Sequence, residues 1–398
     1  MSKFVYSKIN FFSNHLFFLL GLFIPISVAI TNIIIGLISF FWLIEGNFKL
    51  KYDTIKASKW MLSLFLLIGI YILGNLWGTN HVHSAWQFQR LLLLLFFPIL
   101  LTFKIDQKAI KNGLIAFLIS TFISACLAIL INCNVIYPLS EYLFFLSENH
   151  TISAFLKYNY HNLLLTFSCL ICIYLVVEKK TKNKKTLLFF ISIYILSIFT
   201  ESGRAGQLLF NFLSISYIFY YAKKHSYKWY LLLFILVIFQ VGIYKTTTVF
   251  KNRFDTVLSV VTNKGLHLKQ NKKDVRYIFF NETLKKIHQN PVLGYGSGSF
   301  GTIFKNEVKA GYDFSLHKTP HNQYLYVWFE IGITGLFLLL MMFFFQIKEM
   351  YNKKDGFHRS LLPISFMLLM LIDSYLFIFT IMIGYIFLYK IFCYQESE

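Results

Sequence analysis

The chain has 398 residues, of which 57% are apolar, 19% aromatic and only 14% charged, whereas a soluble globular protein carries about 25% charged residues. This balance argues against a water-soluble enzyme. The formal net charge of +20 does not point to nucleic acid, because the basic residues lie between apolar runs and form no stripe on a soluble domain.

A transmembrane helix takes about 20 residues, and the apolar runs predict twelve spans. They lie near 12–29, 31–45, 60–78, 86–102, 112–133, 161–178, 187–200, 204–222, 229–246, 322–345, 360–375 and 376–393. The first run follows Lys3 and Lys8, and the second follows it at once, which favours an uncut hairpin over a cleaved signal peptide. Cys126, Cys133, Cys169, Cys172 and Cys393 all fall within or beside hydrophobic stretches, with no His or Cys partner at zinc spacing. Cys169 and Cys172 read as polarizable core residues one helical turn apart.

Orientation follows from Lys and Arg in the short connections, since cationic short loops stay in the cytoplasm. The breaks at 46–59, 103–111, 179–186, 223–228 and 346–359 hold four, three, five, three and four of them. With Lys3, Lys8 and Lys390 this makes 22 on one side. Residues 79–85 have none, and 134–160 have only Lys157. Both termini are therefore expected in the cytoplasm, in keeping with an even number of spans. Residues 247–320 form a connection of 74 residues with twelve Lys or Arg against five Asp or Glu. Long loops are exempt from the charge rule, so this one can lie outside. Asp274 is a candidate N-cap, and Val275 to Gln289 has helical spacing until Asn290, Pro291 and Gly294 stop it. The chain thus divides into spans one to nine (1–246), a large outer loop (247–320) and spans ten to twelve (321–398).

Ionisable residues beside apolar spans are expensive and so are functional candidates. Arg90 lies early in span four, Arg204 opens span eight, His321 opens span ten, and Arg276 lies in the long loop; on the predicted topology all four are at the same outer face. Guanidinium forks bind phosphate oxygens in bidentate fashion and keep their charge when partly desolvated, so Arg90, Arg204 and Arg276 suit a diphosphate. Arginines flanking spans also snorkel to the interface without further role. His321 suits a general base, because imidazole titrates near working pH. The run from Gly294 to Gly301 looks like a phosphate cradle but lacks the Gly-Lys-Ser/Thr ending of a P-loop, and a flexible turn explains it as well. His81 and His83 lack a third ligand for a metal, and Asp373 reads as a polar turn residue. No Asp-x-Asp pair occurs, which argues against a transferase whose cation is held by carboxylates. No metal or cofactor is expected.

The segment Thr200-Glu-Ser-Gly-Arg204-Ala-Gly-Gln-Leu208 resembles the small-residue turn and Arg-x-x-x-Leu element of the bacterial O-antigen ligase and O-antigen polymerase superfamily. The stretch from Arg276 through Asn290-Pro-Val-Leu-Gly-Tyr-Gly-Ser-Gly-Ser-Phe300 is similar to the family's passage from an arginine into a Gly-rich turn. His321-Asn322, followed by Gly332 and Gly335, is similar to its His, amide and spaced-glycine pattern. The three elements stand in family order. One dominant outer loop, against 27 residues at 134–160, favours the ligase over the polymerase.

The resemblance implies an all-α, polytopic integral membrane protein of about 12 transmembrane helices, a GT-C-like glycosyltransferase with one large, partly helical periplasmic loop. It implies a bacterial inner-membrane location and transfer of a preassembled glycan from undecaprenyl diphosphate to lipid A-core, metal-independent and inverting. His321 would be catalytic, and Arg204, Arg276 and Arg90 would bind the diphosphate. The surplus of +7 in the long loop fits an outer surface that meets phosphorylated lipid A-core. Polymerase or protein oligosaccharyltransferase activity is the alternative within the superfamily, and a lipid-linked glycan transporter the alternative outside it.

Overall fold

A helix hydrogen-bonds its own backbone, so it is the element that an apolar run forms in lipid. In the computed structural model, which describes residues 3–136, 153–178, 181–225, 228–247, 250–252, 254–255, 275–307 and 318–394, each of the twelve apolar runs contains helix. No strand occurs among the described residues. The first helices are α1 (Lys3–Phe23), α2 (Val28–Glu45), α3 (Phe48–Ala57), α4 (Lys59–Leu73), α5 (His81–Leu92), α6 (Phe96–Thr102) and α7 (Gln107–Asn132). There follow α8 (Tyr158–Val177), α9 (Lys184–Thr200), α10 (Arg204–His225) and α11 (Trp229–Thr246). The last are α12 (Val275–Gln289), α13 (Ser299–Glu307), α14 (Gln323–Tyr351), α15 (Gly356–Leu369) and α16 (Phe379–Cys393). Among the described residues seven stretches are both long and apolar enough to cross a membrane. The chain is a multi-pass helical membrane protein.

The expected helix at Val275 to Gln289 forms with those bounds as α12; its expected cap, Asp274, lies outside the described residues. The span predicted at 86–102 is interrupted. A 3-10 turn at Leu93–Leu95 separates α5 from α6, four residues before Pro98, which has no N–H to return to the preceding turn.

The chain divides into two compact units, one comprising Met1–Phe17, Asn32–Ile110 and Asn271–Glu398, the other Phe18–Thr31 and Lys111–Gln270. In the first, α4 packs along α14, which also packs on α15 and α12. Trp60 lies edge-on to Phe97 and Tyr389 with ring centroids 5.1 and 5.4 Å away, and Phe366 stacks on Tyr385 at 4.3 Å. Cations from the basic breaks close helix C-termini, where carbonyls lack partners. Lys353 Nζ donates to the Cys393 carbonyl at 2.6 Å, Lys390 Nζ to Leu101 at 3.0 Å, and Arg359 to the carbonyls of Phe392 and Tyr394.

In the second unit α8 packs against α9 and α10. It is buried around most of its circumference, and Cys169 and Cys172 sit inside it one turn apart, as their spacing predicts. By contrast α11 buries none of its residues, leaving Phe234, Ile235 and Val237 exposed. In water that surface would be an association patch; on a membrane helix it faces acyl chains.

Candidate active site

His321 stands at the entry to α14 with φ +54, the left-handed region that few non-glycine residues adopt. The next residue, Asn322, caps the helix: its side chain accepts from the amides of Tyr324 and Leu325 at 3.0 Å. The turn after α15 is stitched to this entry. Gln323 N donates to the Met370 carbonyl at 2.8 Å, Asn322 Nδ2 to Leu371 at 3.2 Å, and Leu376 N to Gln323 Oε1 at 3.3 Å. That stitching brings Asp373 Oδ1 to 3.2 Å from His321 Nδ1, with both side chains a little over a quarter exposed. The same carboxyl oxygen accepts from the Ser374 amide at 2.7 Å. Asp373 is thus a turn residue, as expected, and also the partner of the imidazole. Only a side chain 52 positions away could signal this pairing, so local sequence reading missed it.

The helix that carries Arg276 packs on this imidazole: Phe279 of α12 meets the His321 ring edge-on at 5.8 Å. Arg276 lies one turn earlier in α12; its side chain is outside the described part. Arg90, in the last turn of α5, belongs to the same unit. Its guanidinium carbon lies 5.6 Å from the Trp86 ring centroid.

Three consecutive amides of the glycine-rich run are taken by carbonyls of the protein. Tyr295 N donates to Phe329 O at 2.9 Å, Gly296 N to Glu330 O at 2.7 Å and Ser297 N to Gly74 O at 3.0 Å. It is a staple between the end of α4 and an interruption in α14, where Ile331 and Gly332 leave helical geometry. Gly332 adopts φ +69, ψ −170, a combination essentially confined to glycine, and the Val292 carbonyl occupies the place a Cβ would take. Beside the interruption, Glu330 is fully buried and accepts from Gln87, which also bonds Tyr326.

Arg204 lies in the second unit, as the first residue of α10. The turn that delivers it is held from α8. Asn162 Nδ2 donates to Ile198 O at 3.2 Å and Gly203 O at 3.3 Å, and a Cβ on Gly206 would come within 2.7 Å of the Asn162 Cβ. Small residues around Arg204 are therefore required by close approach to α8. Gln207 Nε2 ties the turn to Glu201 O at 3.0 Å. The buried Glu201 carboxylate accepts from Ser153 at 2.6 Å and Ser197 at 3.2 Å, and pairs with His161 Nδ1 at 2.8 Å. Neither His161 nor Asn162 was singled out in the sequence, although both are polar residues opening an apolar run, the signal that selected His321. Asn162→Ala removes two hydrogen bonds worth about 0.5–1.5 kcal/mol each. The expected result is a lower thermal midpoint of the purified protein; an unchanged midpoint would mean that the amide holds nothing.

Arg204 also lines a cavity of about 640 Å³ between α10 and α11, with Leu208, Ile215, Val237, Val241 and Phe250 among its walls. A Gln240–Asn211 hydrogen bond of 2.7 Å is set into it. Among the described residues no three His, Cys, Asp or Glu side chains converge as metal ligands.

A multi-pass membrane protein with a carboxylate-paired histidine and arginine-bearing helices is the class these features define. Residues 187–340 match the family model described as O-Antigen ligase, so this segment is similar to that family. The chain is also similar to a protein of Haemophilus influenzae (strain ATCC 51907 / DSM 11121 / KW20 / Rd) described as an uncharacterized protein, with 26% identity over 344 residues, covering 82% of this chain and 80% of that one.

Proposed function

We propose that the protein is an O-antigen ligase of the bacterial inner membrane. It moves a preassembled glycan from undecaprenyl diphosphate to a hydroxyl of lipid A-core oligosaccharide at the periplasmic face, with both termini in the cytoplasm and residues 247–320 outside. The observation that carries this reading is the His321–Asp373 pair at the entry of α14, packed against the helix that bears Arg276. With Nδ1 engaged by Asp373, Nε2 takes the proton of the acceptor hydroxyl. The acceptor oxygen bonds to the anomeric carbon as the bond from that carbon to the diphosphate oxygen breaks. The diphosphate departs with the bonding electrons, and one displacement inverts the centre. Arg204 and Arg276 stabilise the charge gathering on the leaving group, which is how fixed donors lower such a barrier. The apolar cavity beside Arg204 suits part of a polyprenyl chain.

A lipopolysaccharide gel from a deletion strain tests the assignment. Loss of all capped bands with lipid-linked polymer accumulating is the expected result; a single repeat unit retained on the core means polymerase. Purified protein in liposomes separates enzyme from transporter: a new glycosidic bond formed on one leaflet supports the proposal, and lipid translocation without one overturns it. Arg204→Lys keeps the charge but not the planar fork. It is expected to lose most activity in this assay, and full activity would reduce the requirement at 204 to charge alone.

A further inference from the structure

The first unit carries a basic cluster around Trp86 that lacks an ion pair among the described residues. Three basic residues gather on one indole. The Arg90 guanidinium carbon lies 5.6 Å from the Trp86 ring centroid, Lys318 Nζ 5.1 Å, and the His83 ring 5.3 Å. The His83 imidazole also meets the backbone of Lys318. Among the described residues neither Arg90 nor Lys318 forms an ion pair with a carboxylate, and Lys318 is exposed. Two cations on one indole leave a positive field there that a bound anion offsets. Packing on the indole pre-orders both cations, which reduces the rotamer entropy lost when a ligand binds.

The location limits what that anion belongs to. Lys318 precedes His321 by three residues, so the two Cα atoms are at most about 11 Å apart. Trp86 reaches the same neighbourhood through Phe377, 6.4 Å away, which lies four residues beyond Asp373. Arg90, Lys318 and His321 thus share one neighbourhood of the first unit.

Resting on the transferase reading above, we propose that Arg90, Lys318 and Trp86 form an acceptor subsite for an anionic group, a phosphate or carboxylate, on the saccharide that receives the glycan. This moves Arg90 from the donor diphosphate, its expected ligand, to the acceptor. Arg90 and Lys318 hold the anion, and Trp86 positions the two cations.

The test uses full-length protein in liposomes with lipid-linked donor and two acceptors, a phosphorylated core glycolipid and the same glycolipid after phosphatase treatment. Arg90→Gln and Lys318→Gln should each raise KM for the phosphorylated acceptor about tenfold, the effect of losing one charge-assisted contact, without changing KM for the donor. On the dephosphorylated acceptor the variants should match wild type. A rise in donor KM, or equal loss on both acceptors, overturns the subsite. A second measurement does not need turnover: binding of the phosphorylated core oligosaccharide to the purified protein should weaken about tenfold in either variant and in the absence of the phosphate. If wild type forms no product with any acceptor, the transferase reading fails while this binding measurement still decides the subsite. Binding that ignores both the phosphate and the substitutions overturns it.

Discussion

His321→Asn is expected to abolish glycan attachment, with a fall in rate of about 10²–10⁴-fold, while the amount of protein inserted in the membrane stays at the wild-type level. Asparagine is the informative replacement because residue 321 has positive φ. Asparagine tolerates that conformation better than alanine does, so the entry to α14 is preserved while the proton acceptor is removed. Asp373→Asn should give a smaller loss. The amide can still meet Nδ1, but it no longer stabilises the imidazolium that forms when the acceptor hydroxyl is deprotonated. Both variants are read by the lipopolysaccharide gel and by turnover in liposomes. Normally capped lipopolysaccharide in His321→Asn would end the proposed role of the imidazole. An Asp373→Asn loss larger than that of His321→Asn would assign the carboxylate a structural role.

Gly332→Ala is expected to be the most damaging single-methyl substitution in α14. The backbone conformation alone costs a non-glycine residue about 1–3 kcal/mol. The added Cβ would also fall on the carbonyl of Val292, a backbone atom that cannot rotate away. The interruption at Ile331 and Gly332 receives the Pro291–Ser297 staple, through Ile333 N to Pro291 O at 3.0 Å and Gly296 N to Glu330 O at 2.7 Å. Losing it should therefore loosen the packing of α12 as well as of α14. Folded yield and thermal midpoint should both drop. Gly335→Ala is the comparison: its nearest contacts would be side-chain atoms of Ile331 and Val327 rather than backbone, and its own φ is not positive, so its loss should be smaller. Equal losses at 332 and 335, or no loss at 332, would contradict this account.

The broad architecture was legible because a lipid environment imposes a simple rule. A run of about 20 apolar residues must be helical and must satisfy its own backbone, so each of the twelve runs read from hydropathy contains helix, and seven stretches are long and apolar enough to cross a membrane among the described residues. The C-terminal end of α12 was equally legible, because Asn290 and Pro291 end it locally. The glycines were legible as a motif but not as a device. The run Gly294 to Gly301 read as a turn or a phosphate cradle, and the amides of Tyr295, Gly296 and Ser297 are taken by the carbonyls of Phe329, Glu330 and Gly74. Which carbonyl meets which amide depends on elements 34 and 223 residues apart in the chain, and no local pattern encodes it.

The sequence by itself determined a helical membrane protein, the residues at which a helix had to stop, and a short list of costly cations and one histidine beside the spans. Hydropathy and local backbone chemistry act over a few turns, and that is enough for these. Only the tertiary structure decided which groups meet: Asp373 with His321, Asn162 and Glu201 beneath the Arg204 turn, and Lys318 with Arg90 on Trp86. Such pairings join residues distant in the chain through the packing of whole helices, and packing is a property of surfaces brought together, which one strand of sequence does not display.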